Sequence, residues 1–395
     1  MKNFIPLKNA SAMLACLTLL CGAFSTATAQ VWNLNANGNW NTSNNWSTHS
    51  VPNSVGASAT LGSAITANRT ITLGQNITVG SLTISDNNNY TVTGNRLTMD
   101  ASGSNNASIT VSGSGSPLIQ SSITLNDNTY FTQNGTGTFT VSGSITTNGK
   151  SLTTNGSGNT VLSGTISSGG GFTKSGSGTT TLSGTANNNF SNVTVSGGTL
   201  NLDKTDGKNA IGGTGTTTVN VNSAGTLVLG GNNQIANTVN MILNGGTFST
   251  GATTGYNETL GTLTLNDCST IDLGTGSHNL VFANSSSLDW DGTLTITGWV
   301  GTAASIQGGT QGSIFFGSNS SGLSSNQLCN IDFTGFGHGA MLLSTGELVP
   351  LSAVPEAKVV MGVLLLVGFV GWRERNRIRG WSLFQGKLLD FGATA

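Results

Sequence analysis

The sequence GTGTFTVSGSI at residues 135–145 returns almost unchanged as GSGNTVLSGTI at 156–166 and as GSGTTTLSGTA at 176–186. The shared Ser-Gly pair recurs after 21 and then 20 residues, ending at Gly143, Gly164 and Gly184. Short strands at a fixed step of about 20 residues, with glycines at fixed offsets, are typical of a β-solenoid. We therefore expect stacked turns of chain whose strands pair in parallel, about 4.8 Å apart.

The same strand pattern continues outside the near-copies, for example in Ile71-Thr72-Leu73, Ile109-Thr110-Val111 and Val193-Thr194-Val195. Apolar residues at every second position, many of them β-branched, predict strands with one buried face. Clusters of Asn, Gly and Ser between these segments predict turns. No amphipathic helical pattern interrupts residues 30–353, so the body is predicted to be all-β.

The predicted body is acidic, although the whole chain is nearly neutral. Residues 30–353 contain six basic and twelve acidic residues, a net charge of −6, whereas the full chain has a formal charge of −1. No basic patch is available to attract the phosphates of nucleic acid. The sequence therefore excludes a nucleic-acid partner, and Asn, Thr, Ser and Gly must provide solubility.

The N-terminus predicts a secretory signal peptide over residues 1–29. Lys2 and Lys8 form a basic start, residues 10–24 are apolar and uncharged, and Ala27-Thr28-Ala29 is a small-x-small cleavage site. This order of features is typical of a segment removed by signal peptidase, so the mature chain is expected to begin at Gln30.

The C-terminal region combines a short motif, an apolar run and a basic cluster. Residues 359–372 are apolar and follow the motif Val354, Pro355, Glu356, and behind them lie four arginines, Arg373, Arg375, Arg377 and Arg379. The run is near the lower limit for a membrane-spanning helix, and the arginines would stay on the cytoplasmic side. We therefore expect one C-terminal transmembrane helix that holds the chain transiently in the inner membrane.

This C-terminal arrangement resembles the PEP-CTERM sorting signal. The resemblance implies export by exosortase-like sorting machinery in a Gram-negative bacterium, with cleavage near Val354, Pro355 and Glu356. The released protein would then lie at the cell surface or outside the cell. Ala357 stands where such signals usually have a second proline, and residues 380–395 extend past their usual end.

Residues 170–200 resemble the autotransporter-associated β-strand repeat. The matching features are a hydrophobic-x-Lys-x-Gly-x-Gly opening at residues 172–178, a Thr-Leu-x-Gly strand at 181–184 and the Gly-Gly-Thr-Leu of 197–200. Residues 32–62 and 288–350 resemble the opening and closing regions of such proteins. The family implies a right-handed β-helix on an exported surface protein.

These observations predict the following fold class: all-β, a right-handed parallel β-helix (β-solenoid) with N- and C-terminal caps, plus one C-terminal transmembrane helix. The predicted segments are a signal peptide (1–29), an N-terminal cap (30–60), β-solenoid repeats (61–285), a C-terminal β cap (286–352), a PEP-CTERM-like sorting segment (353–379) and a tail (380–395).

The candidate chemistry is sparse. None of the three histidines, His49, His278 and His338, stands in a metal-ligand spacing, so no metal, other cofactor or catalytic residue is predicted. Paired carboxylates could serve a polysaccharide lyase or hydrolase of the β-helix type, and the candidates are Asp267, Asp272, Asp289 and Asp291. However, Asp289-Trp290-Asp291 is also typical of a turn before a strand, and we favour the turn.

The tryptophans and cysteines leave alternatives open. Three tryptophans near the mature N-terminus could stack on sugars or close the end of the solenoid, and we favour closure; they are Trp32, Trp40 and Trp46. Trp290 and Trp299 could close the other end. Cys268 and Cys329 lie 61 residues apart, or three turns and about 14 Å. They could form a disulfide only if a cap folds back, because the bond needs Cα atoms within about 7 Å; otherwise they are two small buried residues.

The predicted function is that of a non-enzymatic exported β-solenoid at the cell surface or in the extracellular matrix. The sorting resemblance adds an association with exopolysaccharide or biofilm. The expected partners are signal peptidase, the sorting machinery, the inner membrane transiently and extracellular polysaccharide. One alternative is an adhesin or glycan-binding module, and another is a polysaccharide lyase or hydrolase of β-helix type.

Overall fold

The computed structural model describes residues 29–213, 217–304, 311–352 and 373–375. The chain divides into two compact units, residues 1–219 and 220–395. Each unit is a parallel β-solenoid, so the predicted β-helix and its repeats are confirmed. Strand β22 (Thr218–Asn222), numbered in chain order, crosses the boundary between the units.

The described part of the first unit contains short strands and one 3-10 helix. In chain order these are β1 (Gln30–Val31), β2 (Gly38–Asn39), η1 (Ser43–Asn45), β3 (Ser58–Leu61), β4 (Arg69–Leu73), β5 (Ile77–Val79), β6 (Ser81–Ile84), β7 (Tyr90–Gly94), β8 (Leu97–Met99), β9 (Ala107–Val111), β10 (Leu118–Ile119), β11 (Ile123–Leu125), β12 (Thr129–Gln133), β13 (Thr138–Val141), β14 (Ile145–Thr146), β15 (Leu152–Asn155), β16 (Asn159–Leu162), β17 (Ile166–Ser167), β18 (Phe172–Lys174), β19 (Thr179–Gly184), β20 (Asn192–Val195) and β21 (Gly198–Lys204).

These strands form three sheets within the first unit. The first sheet has the order β1-β3-β6-β9-β12-β15-β18-β20, the second has β2-β4-β7-β10-β13-β16-β19-β21, and the third has β5-β8-β11-β14-β17. Each sheet takes strands at regular intervals along the chain, which is the topology of a solenoid turn. Neighbouring strands pair in parallel, and their registers place equivalent residues of successive turns on one another.

The interior follows from this register. In the second sheet, seven inward-facing aliphatic residues stack in one fully buried column: Ile71, Val92, Ile119, Val141, Leu162, Leu182 and Leu202. Threonines and other small polar residues alternate with them and face outward. One turn cannot cover its own apolar face, so burial depends on the turns above and below.

Asparagine side chains extend the pairing where strands end. The edge strands of the third sheet are covered in this way: Asn53 Oδ1 accepts from the Thr78 backbone N–H at 2.8 Å, and Asn188 Oδ1 accepts from that of Ile166 at 2.9 Å. In the second unit, the Oδ1 atoms of Asn232 and Asn257 accept in turn from the backbones of Asn257 and Asn279. At β5 and β17 these amides satisfy edge N–H groups that would otherwise be open to pairing with another chain.

Three tryptophans form a fully buried cluster near the start of the first unit: Trp32, Trp40 and Trp46. Trp46 packs edge-on against the other two, with ring centroids 5.3 and 4.7 Å apart. Each indole N–H donates to a backbone carbonyl, of Leu34, Pro52 and Trp40 respectively. Buried rings cannot stack on a sugar, so closure is the interpretation that the structure supports.

The second unit contains β23 (Gly225–Leu229), β24 (Asn240–Asn244), β25 (Thr247–Ser249), β26 (Glu258–Leu260), β27 (Leu263–Asp267), β28 (Ser269–Asp272), β29 (His278–Phe282), β30 (Leu294–Thr297), β31 (Gly312–Phe316), α1 (Ser325–Cys329), β32 (Ile331–Phe333), β33 (Ala340–Leu342) and β34 (Leu348–Pro350). Its parallel sheets have the orders β23-β25-β28-β30-β32, β24-β27 and β26-β29-β31. Strands β33 and β34 form an antiparallel hairpin.

Aromatic side chains also pack inside the second unit. Trp299 contacts Phe333 and Phe336 edge-on, with ring centroids 5.3 and 5.0 Å apart. Trp290 packs against Phe316 at 6.0 Å. Both tryptophans are buried, at 6 % and 9 % exposure, so they fill this unit's interior instead of presenting their rings to solvent.

The fold-class prediction is wrong in one part, the C-terminal transmembrane helix. In the described residues, every helix falls short of the length and apolar composition that crossing a bilayer requires. The predicted helix rests on a run of fourteen apolar residues, whereas a helix that spans a bilayer needs about 20 residues. The predicted span itself, residues 359–372, lies outside the described residues, as do the predicted signal peptide up to residue 28 and the sorting motif Val354, Pro355 and Glu356. Of the basic cluster, Arg373 and Arg375 are described; both are helical and exposed, whereas Arg377 and Arg379 lie outside.

Candidate functional site

A polar depression of about 440 Å³ lies in the second unit, where the connection from β29 to β30 meets helix α1. We call it the Asp-Trp-Asp depression, and the lining residues that matter for its chemistry are Asp289, Trp290, Asp291, Ser324, Asn326 and Asn330. Its volume is within the usual range for small-ligand sites, although such sites are mostly apolar. This lining instead offers carboxylate and amide groups.

Trp290 fixes the irregular connection before β30 that carries the two carboxylates. Its indole N–H donates to the Leu263 carbonyl at 3.0 Å, and the backbone N–H of Asp291 donates to the Leu265 carbonyl at 2.7 Å. These bonds bury the tryptophan and leave the side chains of Asp289 and Asp291 exposed. The carboxyl group of a catalytic general acid commonly lies in apolar, buried surroundings, whereas both of these carboxylates are exposed.

Helix α1 supplies the opposite wall through its N-terminal cap. Ser324 Oγ accepts from the Gln327 backbone N–H, and Gln327 Oε1 accepts in return from that of Ser324, which is a capping box. Gln327 Nε2 also donates to the carbonyls of Ser285 and Leu288 at 3.0 and 2.8 Å. The helix is thereby fastened to the loop that carries Asp289.

The four candidate carboxylates do not form one set. Asp289 and Asp291 line the same depression, and the backbone of Asp267 lies against Gly292 on the neighbouring turn. Asp272 is at the far end of β28, where its Oδ1 accepts from Thr297 Oγ1 at 2.8 Å and from the Gly274 backbone at 3.1 Å. It therefore holds strand ends together and takes no part in the depression.

A buried lysine, which the sequence presented only as part of a repeat motif, has a clear structural role. Lys174 Nζ donates to the carbonyls of Ser175, Gly176 and Gly197 at 2.6, 2.8 and 3.0 Å. Burial lowers the pKa of Lys174 to about 8. Lys204 is similar: its Nζ donates to the Ser183 carbonyl at 2.7 Å, and burial lowers its pKa to about 8. Lys174 thus joins two turns at their shared corner.

The second unit also buries ionisable groups that periodicity could not single out, among them Glu258 and His278. Glu258 accepts from the backbone N–H groups of Gln234, Ile235 and Thr259 at 2.7, 3.1 and 3.1 Å. Burial raises the pKa of Glu258 to about 8, against the lowering effect of those bonds. His278 lies 2.9 Å from Thr250 Oγ1 through Nε2, and burial lowers its pKa. Both groups lie in the interior, not in a cleft.

Glu258 should make the stability of the second unit depend on pH. Its pKa is about 8 in the folded chain, against an ordinary value of 4.5. The folded state therefore keeps this proton longer than the unfolded state, and stability should fall as pH rises from 4.5 towards 8. Each pH unit within that window corresponds to about 1.4 kcal/mol.

Urea unfolding at pH 5 and pH 8 measures this loss for the natural chain and for Glu258→Gln. Glutamine keeps an acceptor for two of the three backbone donors and has no proton to lose. The variant should therefore show a flatter dependence on pH, whatever its absolute stability. An unchanged dependence in Glu258→Gln would contradict the assignment.

The remaining sequence candidates lie apart from the depression. His338 pairs with Asp332 through Nδ1 and Oδ1 at 2.6 Å, and both side chains are exposed, at 68 % and 43 %. In the described residues, His, Cys, Asp and Glu side chains are not grouped in threes as a metal site would need. Cys268 and Cys329 are unpaired with each other and exposed, so the interpretation as buried residues is wrong.

Comparisons with protein-family models, characterised proteins and solved structures find no match for this chain. A functional proposal therefore depends on the residues and their geometry. The contacts described above divide them into groups committed to holding turns together, such as Lys174 and Asp272, and groups left facing solvent, such as Asp289 and Asp291.

Proposed function

We propose that the chain is a non-enzymatic, exported β-solenoid that acts at the cell surface or in the extracellular matrix. One observation carries this proposal: the distinctive residues of the repeat hold one turn on the next. Lys174 bonds three corner carbonyls, and a side chain on Gly178 would meet the backbone of the preceding turn. A body built this way supports a structural role in an assembly outside the cell.

Export is proposed from the two ends of the sequence. Signal peptidase would remove residues 1–29, and exosortase-like machinery would cut near Val354, Pro355 and Glu356. The acidic, hydroxyl-rich body would then be released outward and associate with extracellular polysaccharide. The chain's low charge, 7 % of residues, supports a role that does not depend on charged partners.

Mass analysis of the protein from cell and extracellular fractions tests this proposal. We expect an extracellular form that begins at Gln30 and ends near Glu356. An intact chain confined to the cytoplasm would contradict export. An extracellular form that retains Arg373 and Arg375 would contradict the sorting cleavage alone, because the two ends are processed separately.

The Asp-Trp-Asp depression favours a second candidate, a glycan-binding or polysaccharide-cleaving site. Two exposed carboxylates beside amide groups can bond sugar hydroxyls, and glycosidases use paired carboxylates about 5–9.5 Å apart. The contacts of Trp290 favour the structural interpretation, because its ring is buried and its indole N–H donates to the Leu263 carbonyl. The two candidates differ in what removal of the carboxylates should do.

The double substitution Asp289→Asn and Asp291→Asn should leave folding and any surface phenotype unchanged. Both carboxylates are exposed, so their loss should cost within about 0.5 kcal/mol. Thermal unfolding and assays of polysaccharide binding and cleavage measure the outcome. Asp203→Asn, an exposed aspartate of β21 in the first unit, is the control. Loss of a measurable polysaccharide activity only in the double variant would overturn the structural interpretation.

A further inference from the structure

The first sheet of the first unit carries a two-dimensional array of uncharged polar side chains on its outer face, and all of them except Asn155 bear a hydroxyl group. Unbroken register from β3 to β20 aligns one outward residue of each strand in a first column: Ser58, Ser81, Ser108, Tyr130, Thr153, Thr173 and Thr194. A second column runs two residues further along the strands: Thr60, Thr83, Thr110, Thr132 and Asn155. We call the two columns the hydroxyl face.

The spacing of the hydroxyl face is set by the backbone. Successive turns lie about 4.8 Å apart, and alternate residues along a parallel strand lie about 6.6 Å apart. The registers continue through β3, β6, β9, β12 and β15 without a shift. Ser81 Oγ donates to Ser58 Oγ at 2.9 Å, so neighbouring turns are already linked through hydroxyl groups.

The hydroxyl face is rigid and uncharged. The residues between its members point inward and are fully buried, among them Leu82, Ile109 and Phe131. At the threonines of this face, branching at Cβ restricts rotation about χ1, so each methyl and hydroxyl pair has few positions. None of the twelve side chains carries a charge at neutral pH.

These properties narrow the class of partner. Nucleic acid, an anionic membrane or an acidic polysaccharide would find no opposite charge on this face. A peptide cannot add to this face as a further strand, because strand addition needs unpaired backbone N–H and C=O groups. Those of β6 and β9 are paired within the sheet. Sugar-ring stacking would have only the aromatic ring of Tyr130. The face is best complemented by a neutral surface that repeats its own hydrogen-bonding groups in two dimensions.

We propose that the hydroxyl face binds ice. A face of an ice crystal is uncharged and presents water oxygens in a regular array with spacings on the same scale as this lattice. Water held by the threonine and serine hydroxyls would join the crystal, while the methyl groups fill the spaces between them. Each contact is weak, but a rigid array makes many at once, and little ordering is needed on binding. This inference goes beyond the proposed function and does not depend on export.

Partition of the purified full-length chain into slowly growing ice tests the inference, together with inhibition of ice recrystallisation. The natural chain should enter the ice and keep its crystals small. Thr83→Lys with Thr110→Lys places two long charged side chains in the middle of the array and should reduce both signals to background. Thr140→Lys, on the outer face of β13 in the second sheet, is the matched control and should retain them.

Thermal unfolding checks that the variants fold. If the lysine pair fails to fold, Thr83→Ala with Thr110→Ala serves as the test instead. This pair removes two hydroxyl groups without adding bulk and should weaken partition into ice. The inference is overturned if the natural chain is excluded from ice. It is also overturned if Thr140→Lys loses partition as fully as the paired variants, or if the chain adsorbs to insoluble neutral polysaccharide and not to ice.

Discussion

Replacing Gly137 with alanine should destabilise the first unit by about 3 kcal/mol or more, at the upper end of what overpacking costs. An alanine Cβ at this position would press on the Gly115 carbonyl group and lie 2.8 Å from the Ser114 carbonyl oxygen. These atoms belong to the backbone of the preceding turn, which is paired through β10 and β13. They cannot move aside as a flexible side chain could, so the pairing itself must give way.

Gly62→Ala is the matched control for this substitution. A Cβ on Gly62 would have its nearest neighbours at 3.8 Å, which is ordinary contact. Removing a glycine there should be neutral or stabilise the chain by about 0.4–1 kcal/mol, because the unfolded chain loses freedom. Urea unfolding midpoints compare the two variants with the natural chain. Equal effects at the two positions would show that the close approach of turns does not limit residue choice at Gly137.

The repeated glycines show which features of the fold could be predicted from the sequence. The repeated offsets of Gly143 and Gly164 predicted a solenoid step, and the structure places Gly164 directly on the Gly143 carbonyl group. The alternation in segments such as Ile71-Thr72-Leu73 predicted which face is buried. Both features are visible in the sequence because every repeat must meet the same two requirements. Its strands must alternate buried and exposed residues, and its turns must stack closely.

Features that depend on individual turns could not be predicted in this way. Cys268 and Cys329 were expected three turns apart from an average step. The register through β28, β30 and β32 pairs Ser269 with Leu294 and Leu294 with Ile331, which is two turns. Both turns are longer than about 20 residues, and the second is the longer because α1 and its loop are inserted between β31 and β32. Insertions of this kind leave no trace in the strand pattern.

The sequence predicted residues of the candidate site but not the depression that they line. Asp289-Trp290-Asp291 was recognised in the sequence, but the wall that faces it comes from α1, a five-residue helix too short for a periodic signal. Buried Glu258 gave no signal at all, since its three donors include Gln234 and Ile235 from the preceding turn. Side-chain to backbone contacts between turns decide such positions, and they follow from the assembled structure alone.

Lys174→Ala should destabilise the first unit by about 3–5 kcal/mol, because it truncates a buried side chain and leaves buried carbonyl groups without their donor. Its ammonium group is the donor to the carbonyls of Ser175, Gly176 and Gly197. Gly176 has a φ of +72°, a left-handed conformation that favours glycine and belongs to the corner where these carbonyls meet. Alanine would leave the three oxygens without this donor and a cavity where the lysine stem had been.

Lys174→Met separates the two causes, because methionine refills the stem and supplies no donor. Replacing a buried ion pair with apolar residues is often harmless when both partners are removed, but here the partners are backbone carbonyls that no substitution can remove. Methionine should therefore still destabilise, but by only about 1–3 kcal/mol, the cost of one buried acceptor left unsatisfied. The bond to the Gly197 carbonyl is buried, whereas those to the Ser175 and Gly176 carbonyls are partly buried. Lys208→Ala, at an exposed turn of the same unit, should stay within about 0.5 kcal/mol of the natural chain. Urea unfolding of the three variants measures the series. If Lys174→Met were as stable as the natural chain, the ammonium group would add nothing net to the corner, and the lysine of the repeat motif would be present for its packing alone.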